Sequence, residues 1–106
     1  MTREIIVHAL EERRVLELAY GGGAPLTVQP HAIVRKADGT ELLEAYQVSG
    51  VVPEGTEHGW RHFELSRIDF VEPRGETFEP RRDFRPVSGE YGRVMVQVRG
   101  DAAASL

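Results

Sequence analysis

Residues 26–49 read LTVQPHAIVRKADGTELLEAYQVS, and the fold turns on this stretch. Leu26–Lys36 is rich in aliphatic and β-branched residues and predicts a strand. Pro30 interrupts it. Proline has no N–H to give a ladder, so the strand is either a sheet edge or bulged at that point. Asp38-Gly39 predicts a hairpin turn, because a tight turn between twisted strands needs backbone with positive φ. Glu41–Ser49 then predicts the returning strand. Two antiparallel strands joined by a short turn are the nucleus of a sheet.

Upstream, residues 2–13 predict a helix. Thr2 is placed to cap it, Glu4 sits in the first turn where the macrodipole favours a carboxylate, and Arg13 and Arg14 lie near the opposite end. Ile5, Ile6, Ala9 and Leu10 form its apolar stripe. The period then changes to two. Leu16, Leu18 and Tyr20 alternate with Glu17 and Ala19 as a strand, and Gly21–Gly23 with Pro25 mark a loop. Downstream, a polar loop covers 50–59, Trp60–Leu65 predicts a fourth strand and Asp69–Glu72 a short fifth. Residues 74–90, rich in Arg, Pro and Gly, are expected to wrap the surface. Val94, Val96 and Val98 alternate like a strand, with a short terminal helix as the alternative.

One helix followed by five short strands in meander order predicts a mainly β, α+β domain: a small, strongly bent antiparallel sheet or barrel with the helix packed on or beside it. The chain has 106 residues, the size of one domain. Within it, residues 1–73 are assigned to the helix and sheet. Residues 74–106 are assigned to a C-terminal extension packing on the same domain, its last residues expected to be disordered.

There are no cysteines, which excludes a disulfide framework and a thiolate metal site. No signal peptide and no membrane-spanning apolar run is evident, so a cytoplasmic protein is expected. The net charge of −4 argues against nonspecific coating of nucleic acid. The charge is uneven: residues 1–57 hold nine carboxylates and five basic side chains, whereas residues 58–100 hold eight arginines and seven carboxylates, leaving room for a local basic patch.

The candidate site begins at residues 60–68, Trp-Arg-His-Phe-Glu-Leu-Ser-Arg-Ile. On a strand, Arg61, Phe63 and Leu65 share one face, and Arg67 follows at its end. A guanidinium beside large apolar side chains must be paired, reach water or serve a ligand. Two of them flanking an apolar strip suit an anionic or planar ligand. The structural alternative is pairing with Glu64, Asp69 or Glu72 on neighbouring strands. His31 can donate to a ligand near neutral pH or bond a loop carbonyl. Tyr46 and Gln47 can line a pocket, although a tyrosine among Leu and Val also serves as core. Trp60 and Tyr20 can stack on a base or anchor the core. His58 and His62 are four apart, a metal-ligand spacing only on a helix, and Gly59 with the following strand argues against zinc. Arg81, Arg82 and Arg85 with Phe84 form a basic cluster, read either as a nucleic-acid contact or as a solvated tail. No nucleophile–base pair, G-x-S-x-G or phosphate loop occurs, so neither catalysis nor a cofactor is expected.

The order of these features resembles the WYL domain, a bacterial ligand-sensing module with an Sm/SH3-like barrel. Ile5 to Tyr20 is similar to its opening helix and strand, Val28-Gln29-Pro30-His31 to its second strand, and Leu43-Glu44-Ala45-Tyr46 to its motif strand. Arg61 to Ile68 is similar to the stretch in which an arginine, an aromatic, a leucine and a second arginine precede an isoleucine. The resemblance covers residues 4–72. The tripeptide that names the family falls at Glu41-Leu42-Leu43, so its tryptophan and tyrosine are absent. The resemblance implies a five-stranded Sm/SH3-like barrel and a role in transcription regulation. It also implies a free-standing module, because no helix-turn-helix fits ahead of residue 2.

Together these readings predict a non-enzymatic regulatory module that binds an anionic small molecule or nucleotide-like ligand. Arg61, Arg67, His31 and Tyr46 would form its polar pocket, with Gln47, Phe63, Trp60 and Tyr20 beside them. The alternatives are a single-stranded nucleic-acid binder and a protein-interaction subunit. The latter would form a homo-oligomer, or join a regulatory partner, through an exposed strand edge or Val94–Val98.

Overall fold

The computed structural model describes residues 1–50, 59–84 and 92–98. The predicted loop over 51–58, Arg85, Arg99 and the expected disorder at the C-terminus lie outside them.

The chain opens with helix α1 (Thr2–Glu12) and continues through strands β1 (Arg14–Tyr20), β2 (Leu26–Lys36), β3 (Glu41–Ser49) and β4 (Trp60–Glu64). A single 3-10 turn (Leu65–Arg67) leads into β5 (Ile68–Thr77), and β6 (Gly92–Gln97) completes the set. All pairings are antiparallel, in the order β4-β3-β2-β1-β5, with β6 paired to β2. Among the described residues the fold is therefore mainly β with one α-helix, and the sheet has six strands where five were expected. The sixth is the valine segment, whose alternation places Val94 and Val96 opposite Val34 and Ile33. β5 is also longer than its predicted core, because Arg14 at the start of β1 pairs as far along as Thr77. Among the described residues no helix is long and apolar enough to cross a membrane.

The sheet must be sharply bent. β4 and β5 lie at opposite ends of the strand order, yet only Leu65–Arg67 separates them in the chain. In a flat sheet these edges would be about 19 Å apart, at roughly 4.8 Å per strand spacing, a gap no single 3-10 turn crosses. The bend has visible causes. The β2–β3 register shifts between Pro30 and Ala32, leaving His31 as the extra residue of a bulge. Pro30 thus sits at a bulge and not on an edge: β2 pairs with β1, β3 and β6. Among the described residues no β4–β5 ladder closes this sheet into the expected Sm/SH3-like barrel. A side chain bridges the gap instead. The Glu64 N–H donates to the Tyr20 hydroxyl at 3.0 Å, and the Gly21 N–H donates to the Arg67 carbonyl at 3.0 Å.

The hairpin turn forms as its residues dictate. Gly39 has φ 92°, Lys36 N–H reaches the Thr40 carbonyl at 2.8 Å, and the Asp38 carboxylate accepts from Thr40 N–H at 2.9 Å. At the helix start Thr2 does not cap. Met1 occupies the cap position without a side-chain bond, and its ammonium pairs with Glu4 at 3.0 Å.

Directly paired residues share a sheet face. The inner face carries Leu16, Leu18, Val28, Ile33, Leu43 and Phe63, which pack with Ile6, Ala9 and Leu10 of α1 as the main core. Phe78 and Val98 join this core. The outer face carries a second, smaller cluster of Ala32, Val34 and Leu42, covered by Phe84 and Val94.

Candidate functional site

The eight predicted site residues divide between the two faces and do not form one pocket. Neighbours along a strand point to opposite sides. Gln47 and Arg61 are therefore on the inner face, opposite Val28 and Ala45, and Tyr46 and Trp60 are paired on the outer face.

The inner group is a row. Arg61 is half-buried, and its Nη1 donates to the Gln47 side-chain oxygen at 2.5 Å. Its guanidinium stacks 5.1 Å from the centre of the Phe63 ring. Phe63 is fully buried and meets Tyr20 edge to face, centroids 5.1 Å apart. The guanidinium of Arg67 then lies 5.4 Å from the Tyr20 ring. An aromatic pair thus joins β1 to β4, with an arginine at each end. Cation–π contacts orient both guanidiniums without neutralising them.

The expected carboxylate partners are occupied elsewhere or absent. Asp69 accepts from the Gly22 N–H at 2.7 Å. Among the described residues neither Arg61 nor Arg67 has a carboxylate within ion-pair distance. Arg61 is held by a neutral amide oxygen of the buried Gln47, which fixes its position and leaves its charge available.

The outer group is a cage around His31. This imidazole is fully buried, with the rings of Trp60, Phe78 and Phe84 at 4.8, 5.2 and 5.1 Å. Both its nitrogens are committed. Nδ1 lies 2.9 Å from the Gln29 carbonyl oxygen, and Nε2 accepts the backbone N–H of Arg81 at 3.0 Å. A backbone N–H can only donate, so Nε2 is unprotonated and Nδ1 carries the proton to Gln29. The ring is neutral, and burial holds its pKa below the usual histidine value, against the opposing pull of the Gln29 carbonyl. Around it, Trp60 Nε1 donates to Asp83 at 3.1 Å, and the Arg81 guanidinium lies 3.5 Å from the centre of the Tyr46 ring.

Arg81, Asp83 and Phe78 were not among the expected site residues. The basic cluster with Phe84 marked the segment, but only the fold brings it to His31. Of the two histidines whose spacing argued against a metal site, His58 is outside the described residues. His62 Nε2 lies 3.2 Å from the buried Glu44 carboxylate. A groove of about 230 Å³ lies away from both groups, between α1 and β5, lined by Met1, Ile5, Ala9 and Pro73 among others.

No protein-family model matches the chain, and no curated protein does. Among solved structures it is similar to part of proteasome accessory factor B/C (PafBC) of Arthrobacter aurescens, with a TM-score of 0.64 at 20% identity. The match covers 79% of this chain and 13% of PafBC. At that identity the likeness is one of fold. The chain corresponds to a small part of that protein's length.

Proposed function

We propose that the chain is a non-catalytic, cytoplasmic regulatory module that binds an anionic, nucleotide-like ligand along the inner row from Arg61 to Arg67. One observation carries this reading: two arginines that have no carboxylate partner among the described residues flank an aromatic pair, buried Phe63 and partly buried Tyr20, and one of them is positioned by a buried neutral amide. A guanidinium pre-oriented on an aromatic face loses little freedom on binding a phosphate or carboxylate, and its planar fork favours a bidentate contact. The order of WYL-like motifs in the sequence and the fold likeness to part of a proteasome accessory factor support a regulatory setting.

Single-stranded nucleic acid is the second reading. It is favoured by Trp60, which is 36% exposed and stands beside Tyr46, Phe84 and Arg81 on the outer face. Titration with nucleotides and with oligonucleotides of increasing length, at low and high salt, separates the two. Length-independent binding of a nucleotide supports the inner-row pocket. Affinity that grows with length and falls steeply with salt supports a strand tracked along the surface. Absence of both responses rejects both readings.

A further inference from the structure

We propose that residues 79–84 form a pH-released latch, held shut over the outer face by the unprotonated Nε2 of His31 and opened when that nitrogen takes a proton. The geometry leaves the ring no neutral alternative. Nε2 accepts from Arg81 N–H, Nδ1 faces a carbonyl oxygen, and the ring is enclosed by Trp60, Phe78 and Phe84. Protonation would set an imidazolium N–H against the Arg81 N–H, donor against donor, inside an aromatic cage. The strand side of the contact is fixed, because His31 is the bulge residue of β2 and its carbonyl accepts from Val98 N–H at 2.7 Å. The 79–84 side is irregular chain, beyond Phe78, which stays in the main core with its N–H on the Arg13 carbonyl at 2.9 Å. The weaker element therefore gives way.

The charged groups around the ring are Arg81 and Asp83 from the latch and Glu44 from β3. Glu44 is shared with His62 of β4, and Asp83 with Trp60 and Arg81. Burial, the largest influence, and the Arg81 charge disfavour the imidazolium, while the Gln29 carbonyl, Asp83 and Glu44 partly offset them. The closed state therefore has the lower affinity for protons. Closure is fully favoured above about pH 6.5, the ordinary histidine value, and weakens as pH falls below it. In that window one proton shifts the open-to-closed ratio by up to about tenfold per pH unit. Opening would lift the Arg81 guanidinium off the Tyr46 ring and enlarge the exposed surface around Trp60 in acid.

The test uses the whole chain. Amide exchange by NMR is followed from pH 8 to 5 at Arg81 and at core amides such as Leu43, together with the fluorescence of Trp60, the sole tryptophan. The expected result is that Arg81 exchange and Trp60 emission change together, in step with His31 ring titration below pH 6.5, while Leu43 stays protected. His31→Gln, which can keep an uncharged acceptor near Nε2, is expected to abolish the transition. His62→Gln is expected to leave it. If His31→Gln does not fold, the wild-type chain decides alone. The proposal is overturned if Arg81 remains protected while His31 titrates, if Leu43 exchanges with it in one global unfolding, if the transition survives in His31→Gln, or if no transition occurs.

Discussion

Tyr20 of β1 meets Phe63 of β4 across the bend of the sheet, ring centroids 5.1 Å apart and planes at 77°. This contact does the work that a β4–β5 ladder would do in a closed barrel. It also supplies the apolar floor on which Arg61 and Arg67 rest, so closure and the candidate binding row depend on the same two rings.

Tyr20→Phe is expected to keep the ring contact and lose the bond from Glu64 N–H. Leaving that donor without its partner costs about 1–3 kcal/mol. Urea denaturation should show a lower midpoint with an unchanged slope; an unchanged midpoint would mean that the hydroxyl plays no part in closure.

Phe63→Ala removes a fully buried ring from the main core. A loss of about 3–5 kcal/mol is expected, which for a domain of this size threatens folding itself. Thermal unfolding checks it. A change below 1 kcal/mol would show that the core collapses around the gap and that Phe63 is not its keystone.

Glu41 tests electrostatics away from the candidate site. Its carboxylate accepts from Arg3 of α1 and Arg35 of β2, both at 3.0 Å. Burial, the largest influence, pushes its pKa up, but the hydrogen bonds and positive charges of Arg3 and Arg35 together outweigh it and hold the pKa below the usual glutamate value. A depressed folded-state pKa gives stability that is complete above the unfolded value near 4.5 and disappears as pH falls through the folded one. Glu41→Gln should therefore be less stable than the wild type at pH 7, with the difference shrinking as pH falls below 4.5. A difference that stays constant as pH falls below 4.5 would assign the loss to packing.

Gly92→Ala probes β6. A Cβ at this position would overlap the Arg35 carbonyl oxygen, a fixed backbone atom of β2. The substitution is expected to detach β6 and expose Val34 and Leu42, read as a loss of amide protection in both strands. Retained protection would mean that the strands slide to accommodate the methyl group.

The strands were legible in the sequence because their signals are local. Pro30 narrowed β2 to an edge or a bulge, Asp38-Gly39 marked the turn, and alternation from Leu16 to Tyr20 the first strand. The division of the site was legible too, through parity alone. Tyr46 precedes Gln47 and Trp60 precedes Arg61, so each pair had to straddle the sheet. Grouping them by chemistry concealed this.

What could not be read was long-range. Nothing near Arg81 indicates that its N–H will meet His31, fifty residues away in the chain. Nothing near Val94 selects β2 as its partner. The three residues that the resemblance sets at the family's tripeptide, Glu41-Leu42-Leu43, also gain a physical meaning only in the fold. Glu41 ties α1 to the hairpin, Leu43 enters the main core and Leu42 the outer cluster. All three positions are occupied by structural roles.

The most direct test of the central claim is calorimetric titration of the wild type and Arg61→Ala with a nucleoside triphosphate, alongside thermal unfolding of both. The account predicts saturable binding to the wild type, weakened at least tenfold in Arg61→Ala, with melting temperatures within a few degrees of each other. Equal binding by both proteins, or a mutant that unfolds, would contradict it and make Arg61 a structural residue.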